Sequence, residues 1–247
     1  PAGAEPIVST LLQAYCREHM ELFIVRRNFN SIYADGSDLL QQLQAQTKVT
    51  LFEQDKETGL QELFERLMAI MGERMQLRNE FVQQNGLTRG DPQNTVRAFE
   101  YIHAHSTPLM VIFENYYEFA KSLYDGQAVM FAELFRAQDP NTTSKKNNGY
   151  GYNIYYTACF GPGEYTLTAA QTPMADCFNP QKFTLMFGGQ LDKCGAVPLP
   201  RDYLAINEPD EHYNHCVMYY QGRLAGLSLP CGELVHVEPD PDEVPII

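Results

Sequence analysis

Cysteine and histidine are the residue types that could carry nucleophilic chemistry in this chain. A thiolate becomes an effective nucleophile when a neighbouring imidazole lowers its pKa and takes its proton. Five of the six cysteines and three of the six histidines follow residue 150. The candidate pairs combine Cys216 or Cys231 with His215 or His236. One hypothesis is therefore a Cys/His-dependent hydrolase.

A resemblance in the same region supports that hypothesis. The run from Cys216 to Arg223, followed by Val235-His236-Val237, resembles the hairpin that carries the histidine in papain-like amidases. The resemblance covers about one hairpin and implies amidase-type hydrolysis. The second element of such a site, a cysteine at the start of a helix, is not found before this run. Hydrolysis is therefore the alternative function and not the leading one.

The cluster at His212, His215 and Cys216 could instead bind a metal ion. Imidazole and thiolate groups are the ligands that zinc prefers. Zinc motifs usually place a tight pair of ligands at two separated points of the chain, and here the second pair is missing. We therefore expect no metal ion, and no motif indicates another cofactor.

Disulfide bonds are a further interpretation of the cysteines. Cys177 with Cys194, and Cys216 with Cys231, would each close a short loop in a part of the chain rich in proline and predicted to have short strands. Such bonds would suit a secreted, disulfide-stapled binding protein. The sequence assigns neither the redox state of the cysteines nor a compartment.

The charge of the chain excludes several kinds of partner. A net charge of −13 argues against nucleic acid, because phosphate binding relies on clustered Lys and Arg. The longest apolar run, Leu109 to Phe113, stops at Glu114 and is far shorter than a membrane span. We therefore expect a protein partner or self-assembly, without nucleic acid and without a membrane span.

The spacing of apolar residues predicts a change of architecture near residue 150. Before it they recur every three or four positions, which predicts a bundle of about five helices over residues 1–140. Helix ends are indicated by Ser37, by Asn85-Gly86, by Asp91-Pro92 and by Pro108. The first helix is expected to include Leu22 and Phe23, the second is centred on residues 39–43, and the fifth carries Leu109 to Phe135.

After the change, the residues predict short antiparallel strands. Residues 141–151 form a polar linker, and residues 152–247 form a β-rich region with an acidic, Pro-rich tail. One hairpin is expected to pair residues 152–157 with 165–168, and a second to pair 216–220 with 224–229. Further strands are predicted at 183–187 and 234–237. The predicted fold class is α+β, and a shared core between the two parts stays open.

These features favour a non-catalytic protein-interaction or structural component. The chain has 15 Tyr and no Trp, and tyrosine rings suit interfaces because one end is apolar and the other can form hydrogen bonds. The expected contact residues are the tyrosines of the β-rich region and the apolar end of the tail: Tyr152, Tyr155, Tyr156, Tyr219, Tyr220, Ile246 and Ile247.

Overall fold

A computed structural model shows how the chain folds. It describes residues 19–27, 30–88, 91–135, 150–161, 163–168, 174, 177–178, 183–187, 195–197, 199–200, 215–220 and 222–228. The described chain contains two β-sheets, and helices pack on both faces of the larger one.

The larger sheet has four parallel strands in the order β2-β1-β3-β4. The strands are β1 (Glu21–Arg26), β2 (Val49–Glu53), β3 (Leu109–Phe113) and β4 (Ile154–Ala158). The central strands β1 and β3 are apolar along almost their whole length and are buried. Strands of this kind need cover on both faces of a sheet, because side chains alternate between the faces.

Helices lie between the strands of this sheet and after its last strand. They are α1 (Asp38–Gln46), α2 (Glu57–Gln84), α3 (Pro92–His105), α4 (Tyr116–Ser122), α5 (Asp125–Phe135) and α6 (Glu164–Thr168). A short 3-10 turn at Tyr150–Tyr152 precedes β4. The side-chain oxygens of Ser37, Asp91 and Asn115 cap the first turns of α1, α3 and α4 by accepting backbone N–H groups.

The strand order places helices on opposite faces of the sheet. The chain moves from β1 to β2 in one direction and returns past β1 to β3 in the other, so right-handed crossovers put the two sets of helices on different sides. Phe23 and Val25 of β1 pack in one core cluster with residues of α2, α3, α4 and α5. Leu22 and Ile24 point to the other face and pack with Leu39 of α1.

A buried arginine fastens the long helix α2 to the sheet. The guanidinium of Arg74 donates hydrogen bonds to the carbonyl oxygens of Tyr152 at 2.6 Å and Thr107 at 2.7 Å. These carbonyls precede β4 and β3, and Arg74 is only 7% exposed. Burial lowers the pKa of Arg74, and its hydrogen bonds replace those it would make to water.

The smaller sheet is antiparallel, in the order β5-β6-β7. Its strands are β5 (Phe183–Phe187), β6 (His215–Tyr220) and β7 (Arg223–Ser228). Met186, Val197 and Val217 form its own small core cluster. The hairpin predicted around Gly222 is confirmed, because β6 and β7 pair in antiparallel register from His215 and Ser228 to Tyr220 and Arg223.

The prediction of an N-terminal helical bundle followed by an antiparallel β-rich region is wrong. Leu22 and Phe23 lie in β1, Val49 begins β2, and the start of the predicted fifth helix is β3. These segments pair with one another in parallel, so the first half of the chain is built on a sheet. A run of five buried apolar residues fits a helix or a covered strand equally well, and long-range pairing decides between them.

The predicted first hairpin of the β-rich region is also wrong. Residues 154–158 form β4, but this strand pairs in parallel with β3 rather than with residues 165–168. The latter lie in the short helix α6. The parallel sheet therefore includes residues on both sides of the predicted linker. Residues 141–149 of that linker lie outside the described chain. The strand predicted at residues 234–237 also lies outside it.

Among the described residues, no helix combines the length and apolar character needed to cross a membrane.

Candidate functional site

The strand order has a switch point between β1 and β3, which is where the ligand-binding crevice of open parallel sheets usually lies. From β1 the chain leaves towards β2 on one side, and from β3 it leaves towards β4 on the other. In open parallel sheets such a point, at the carboxyl ends of the two neighbouring strands, is the common ligand position. Here it lies between Arg26 at the end of β1 and Glu114 directly after β3.

The carboxylate of Glu114 lies at this position and accepts two backbone N–H groups. Its Oε1 accepts the backbone N–H of Ile32 at 2.8 Å, and its Oε2 accepts the backbone N–H of Arg27 at 3.1 Å. Both donors belong to the segment that connects β1 to α1. A bound anion in this position would use backbone N–H groups of the same kind. The side chain of the protein itself takes that role here.

Arg26 fixes the other side of the same connection. Its guanidinium donates to the carbonyl oxygen of Tyr33 at 2.5 Å and pairs with Asp35 at 3.0 Å and Glu53 at 3.7 Å. The hydrogen bond and charge of Arg26 lower the pKa of the Asp35 carboxyl. Arg26 is only 7% exposed, so its charge is balanced by these carboxylates of the protein.

Asn115 and Glu164 extend this network to the end of β4. Asn115 accepts the backbone N–H of Glu118 at 2.9 Å, which caps α4, and its amide donates to both carboxylate oxygens of Glu164 at 3.1 and 3.2 Å. Glu164 also accepts the backbone N–H of Gly161 at 2.5 Å. These polar groups hold the loops that follow β3 and β4 in place.

Cys159 and Tyr33 complete the set of ionisable groups at this edge. Burial, reinforced by the charge of Glu114, raises the pKa of the Cys159 thiol to about 11. Burial also raises the pKa of Tyr33 well above its usual value, with further contributions from Cys159 and Glu114. Both groups are therefore neutral near pH 7. A thiol that holds its proton is a poor nucleophile.

The polar groups at this edge of the sheet are bonded to one another and to backbone groups of the neighbouring loops. Glu114, Arg26, Asn115 and Glu164 each have partners within the protein, and Cys159 is protonated.

Of the Cys and His residues predicted for hydrolysis, Cys216 and His215 lie in the described chain. Cys216 lies in β6 as a buried free thiol, 4% exposed, and burial raises its pKa. His215 begins the same strand. Cys231 and His236 lie outside the described residues, so the catalytic pairing stays a prediction.

The predicted disulfide bonds and the predicted metal site lie only partly in the described chain. Cys177 is 2% exposed and belongs to the larger core cluster, and Cys194 lies outside the described residues. His212, one of the proposed metal ligands, lies outside them as well. In the part of the chain that the structure describes, no three His, Cys, Asp or Glu residues are grouped so that they could hold a metal ion.

The tyrosines predicted to form an interaction surface differ in exposure. Tyr152 is 2% exposed and packs against Phe99. Tyr155 and Tyr156 are half-buried in β4, one on each face of the sheet, and burial raises the pKa of Tyr156. Tyr219 is half-buried against the smaller core cluster, whereas Tyr220 is 48% exposed. Ile246 and Ile247 lie outside the described residues.

Large apolar side chains are exposed elsewhere, on the helices. They include Met68 and Met75 on α2 and Val129 and Met130 on α5, each between 45% and 51% exposed. On α2, Met71 is buried, whereas Met68 and Met75, three and four residues away from it, lie at the exposed edge of the same side of the helix. The methionines of α2 therefore do not all serve the packing of the core.

Comparisons with known proteins do not place this chain in a family. No family model, no curated protein and no solved structure matches it. The function has to be inferred from the geometry of the chain.

Proposed function

We propose that this chain is a non-catalytic protein-interaction or assembly component. The observation that supports the proposal most directly is the Glu114 carboxylate at the switch point between β1 and β3. A small ligand that bound there in the usual way would have to displace this side chain from two backbone N–H groups.

The state of the thiols also favours a non-catalytic role. The pKa values of Cys159 and Cys216 are both raised, so neither is a ready nucleophile near neutral pH. With a pKa of about 11, Cys159 is expected to react with iodoacetamide about 100-fold more slowly at pH 7.5 than a thiol of ordinary pKa. Rapid, selective labelling of one cysteine at this pH would instead favour the Cys/His hydrolase.

Exposed apolar side chains support the interaction role itself. Tyr220 projects from the smaller sheet at 48% exposure, and the helices expose further large apolar side chains. Exposed apolar groups that lie together mark contact surfaces on many proteins. The Tyr-rich β surface and the acidic tail ending in Ile246 and Ile247 belong to the same proposal as candidate contact regions.

The native mass of the protein purified from its source tests this proposal. Gel filtration with light scattering should show the chain in a stable assembly larger than its own 28.1 kDa. A clean monomer under gentle extraction would contradict an assembly role. The measurement works without knowing the identity of the partner.

A further inference from the structure

Two side chains of opposite charge lie beside each other at the carboxyl ends of β1 and β3. Arg26 and Glu114 directly follow the last paired residues of these strands, so they are neighbours on the face of the sheet that α1 covers. The ion pairs of Arg26 nevertheless go to other carboxylates, those of Asp35 and Glu53. Both oxygens of Glu114 accept backbone N–H groups instead.

One donor of Arg26 is left without an acceptor. Its Nε is buried and forms no hydrogen bond, and the residue is only 7% exposed. A buried donor without an acceptor costs free energy, so folded proteins normally provide a partner for it. The two oxygens of Glu114 are already used by the backbone N–H groups of Arg27 and Ile32. The end of β1 therefore carries three donors beside one carboxylate that satisfies two of them.

A tetrahedral oxyanion matches such a set of donors better than a carboxylate does. A phosphate group offers at least three acceptor oxygens, which point in different directions. Guanidinium groups and backbone N–H groups are the donors with which proteins commonly bind phosphate. Arg27 directly follows Arg26, so two positive charges lie in sequence at this strand end.

The position of the Glu114 carboxylate is accessible from solvent. Arg27, Ile32 and Glu114 are each half-buried. Glu114 extends from the end of β3 on a flexible side chain, so its carboxylate can leave the two N–H groups without any movement of the sheet. An anion that arrives from solvent can therefore take its place.

We propose that the connection between β1 and α1 is a binding site for a phosphate group, and that Glu114 occupies this site in the free chain. The phosphate group takes the backbone N–H groups of Arg27 and Ile32 from the carboxylate and also accepts from Nε of Arg26. Inorganic phosphate and the phosphoryl group of a larger metabolite share this chemistry. The inference goes beyond the proposed interaction function, because it adds a small-molecule site to the chain.

An NMR titration of the full chain with inorganic phosphate tests the proposal. Ionic strength is held constant with chloride, so that general screening does not change. The amide signals of Arg27 and Ile32 report on the site, and that of Thr47, which donates to a carbonyl of α1, is the internal control. Glu114→Ala removes the competing carboxylate, and Glu133→Ala removes the same charge from an exposed position of α5. Glycerol phosphate and acetate are the further probes.

We expect phosphate to shift the amide signals of Arg27 and Ile32 in the wild type until the site is saturated. Glu114→Ala should bind phosphate at least about tenfold more tightly, because no side chain has to be displaced. Glu133→Ala should stay within about twofold of the wild type. Arg26→Lys keeps the charge but lacks the Nε donor, so it should weaken binding by about five- to tenfold. Binding of glycerol phosphate as well would support the phosphoryl group of a larger ligand, and binding of inorganic phosphate alone would support the free ion.

Several results would overturn the proposal. If neither the wild type nor Glu114→Ala shows a saturable shift, the connection binds no anion. If Glu133→Ala tightens binding as much as Glu114→Ala, the effect is one of net charge. If acetate binds Glu114→Ala as tightly as phosphate does, the connection only takes back a carboxylate. Binding by Glu114→Ala without binding by the wild type would show that Glu114 is never displaced. Glu114→Gln, which disturbs the fold less, should also bind phosphate more tightly than the wild type, and it keeps the test decisive if the alanine variant does not fold.

Discussion

Replacing Glu114 with alanine removes the carboxylate that holds the connection between β1 and α1. Two hydrogen bonds are lost, to the backbone N–H groups of Ile32 at 2.8 Å and Arg27 at 3.1 Å. A hydrogen bond to a charged group contributes about 1.5–3 kcal/mol, and partial exposure places these two towards the lower end. We therefore expect Glu114→Ala to reduce the free energy of unfolding by about 2–4 kcal/mol.

Equilibrium urea unfolding at pH 7 measures this effect. Glu114→Gln keeps one acceptor oxygen but turns an amide N–H₂ towards a backbone donor, so it should cost about half as much. Glu133→Ala on α5 is the control, because Glu133 is exposed, and it should change stability by less than about 0.5 kcal/mol. A loss below about 0.5 kcal/mol for Glu114→Ala would refute the contribution assigned to these two hydrogen bonds.

Three further predictions can be checked by the same unfolding assay. Arg74→Met removes two charged hydrogen bonds to backbone carbonyls and should cost about 2–4 kcal/mol, and an unchanged midpoint would show that water replaces them. Gly72→Ala should stabilise the chain by about 0.5–1 kcal/mol, because a Cβ at position 72 would meet no other atom. Gly59→Ala in the same helix should destabilise it by about 1–3 kcal/mol, because a Cβ at position 59 would overlap the carbonyl oxygen of Glu53. Equal effects of the two substitutions would contradict the packing described at these two glycines. The pKa of Cys159 is about 11 in the folded chain and near 9 in the unfolded chain, so titration of this thiol should not change the free energy of unfolding below pH 9 and should lower it as the pH rises from 9 to 11. Cys159→Ala should flatten that fall. An identical pH slope in the variant would exclude the thiol as its cause.

The helices with clear ends could be predicted from the sequence. Ser37 and Asp91 cap α1 and α3 as their side chains indicate, and α2 ends before Asn85-Gly86. Local hydrogen bonds and local backbone conformations decide these points, and both depend on neighbouring residues alone. The β6–β7 hairpin was predictable for the same reason, since a tight turn fixes which residues pair.

The parallel sheet could not be predicted in the same way. Residues 109–113 are apolar throughout, so they show neither the alternation of a half-exposed strand nor the spacing of a surface helix. Pro108 before them is compatible with a first helical turn, and the prediction of a helix follows from it. The strand forms because β1 and β4 flank it. Its partners in β4 lie 45 positions away in the sequence, as in Phe113↔Ala158, and its partners in β1 lie 88 positions away, as in Glu21↔Leu109.

The candidate site escapes sequence reasoning for the same reason. In the sequence, Glu114 stands out only as the residue that ends an apolar run. A carboxylate directly after a buried strand is a signal for the carboxyl edge of a parallel sheet, but the signal has meaning only once the segment is assigned as a strand. The cysteines are conspicuous by their residue type, whereas burial determines their reactivity.

Amide hydrogen exchange at Arg27 and Ile32 tests most directly whether Glu114 holds the β1–α1 connection at the switch point. Both amides donate to this carboxylate, so they should exchange slowly in the wild type, and Glu114→Ala should accelerate their exchange by at least about tenfold. The amide of Thr47, which donates to the carbonyl of Leu43 at the end of α1, should keep its rate. Fast exchange of Arg27 and Ile32 in the wild type would show that Glu114 does not hold these amides, and the central support for a non-catalytic role would be lost.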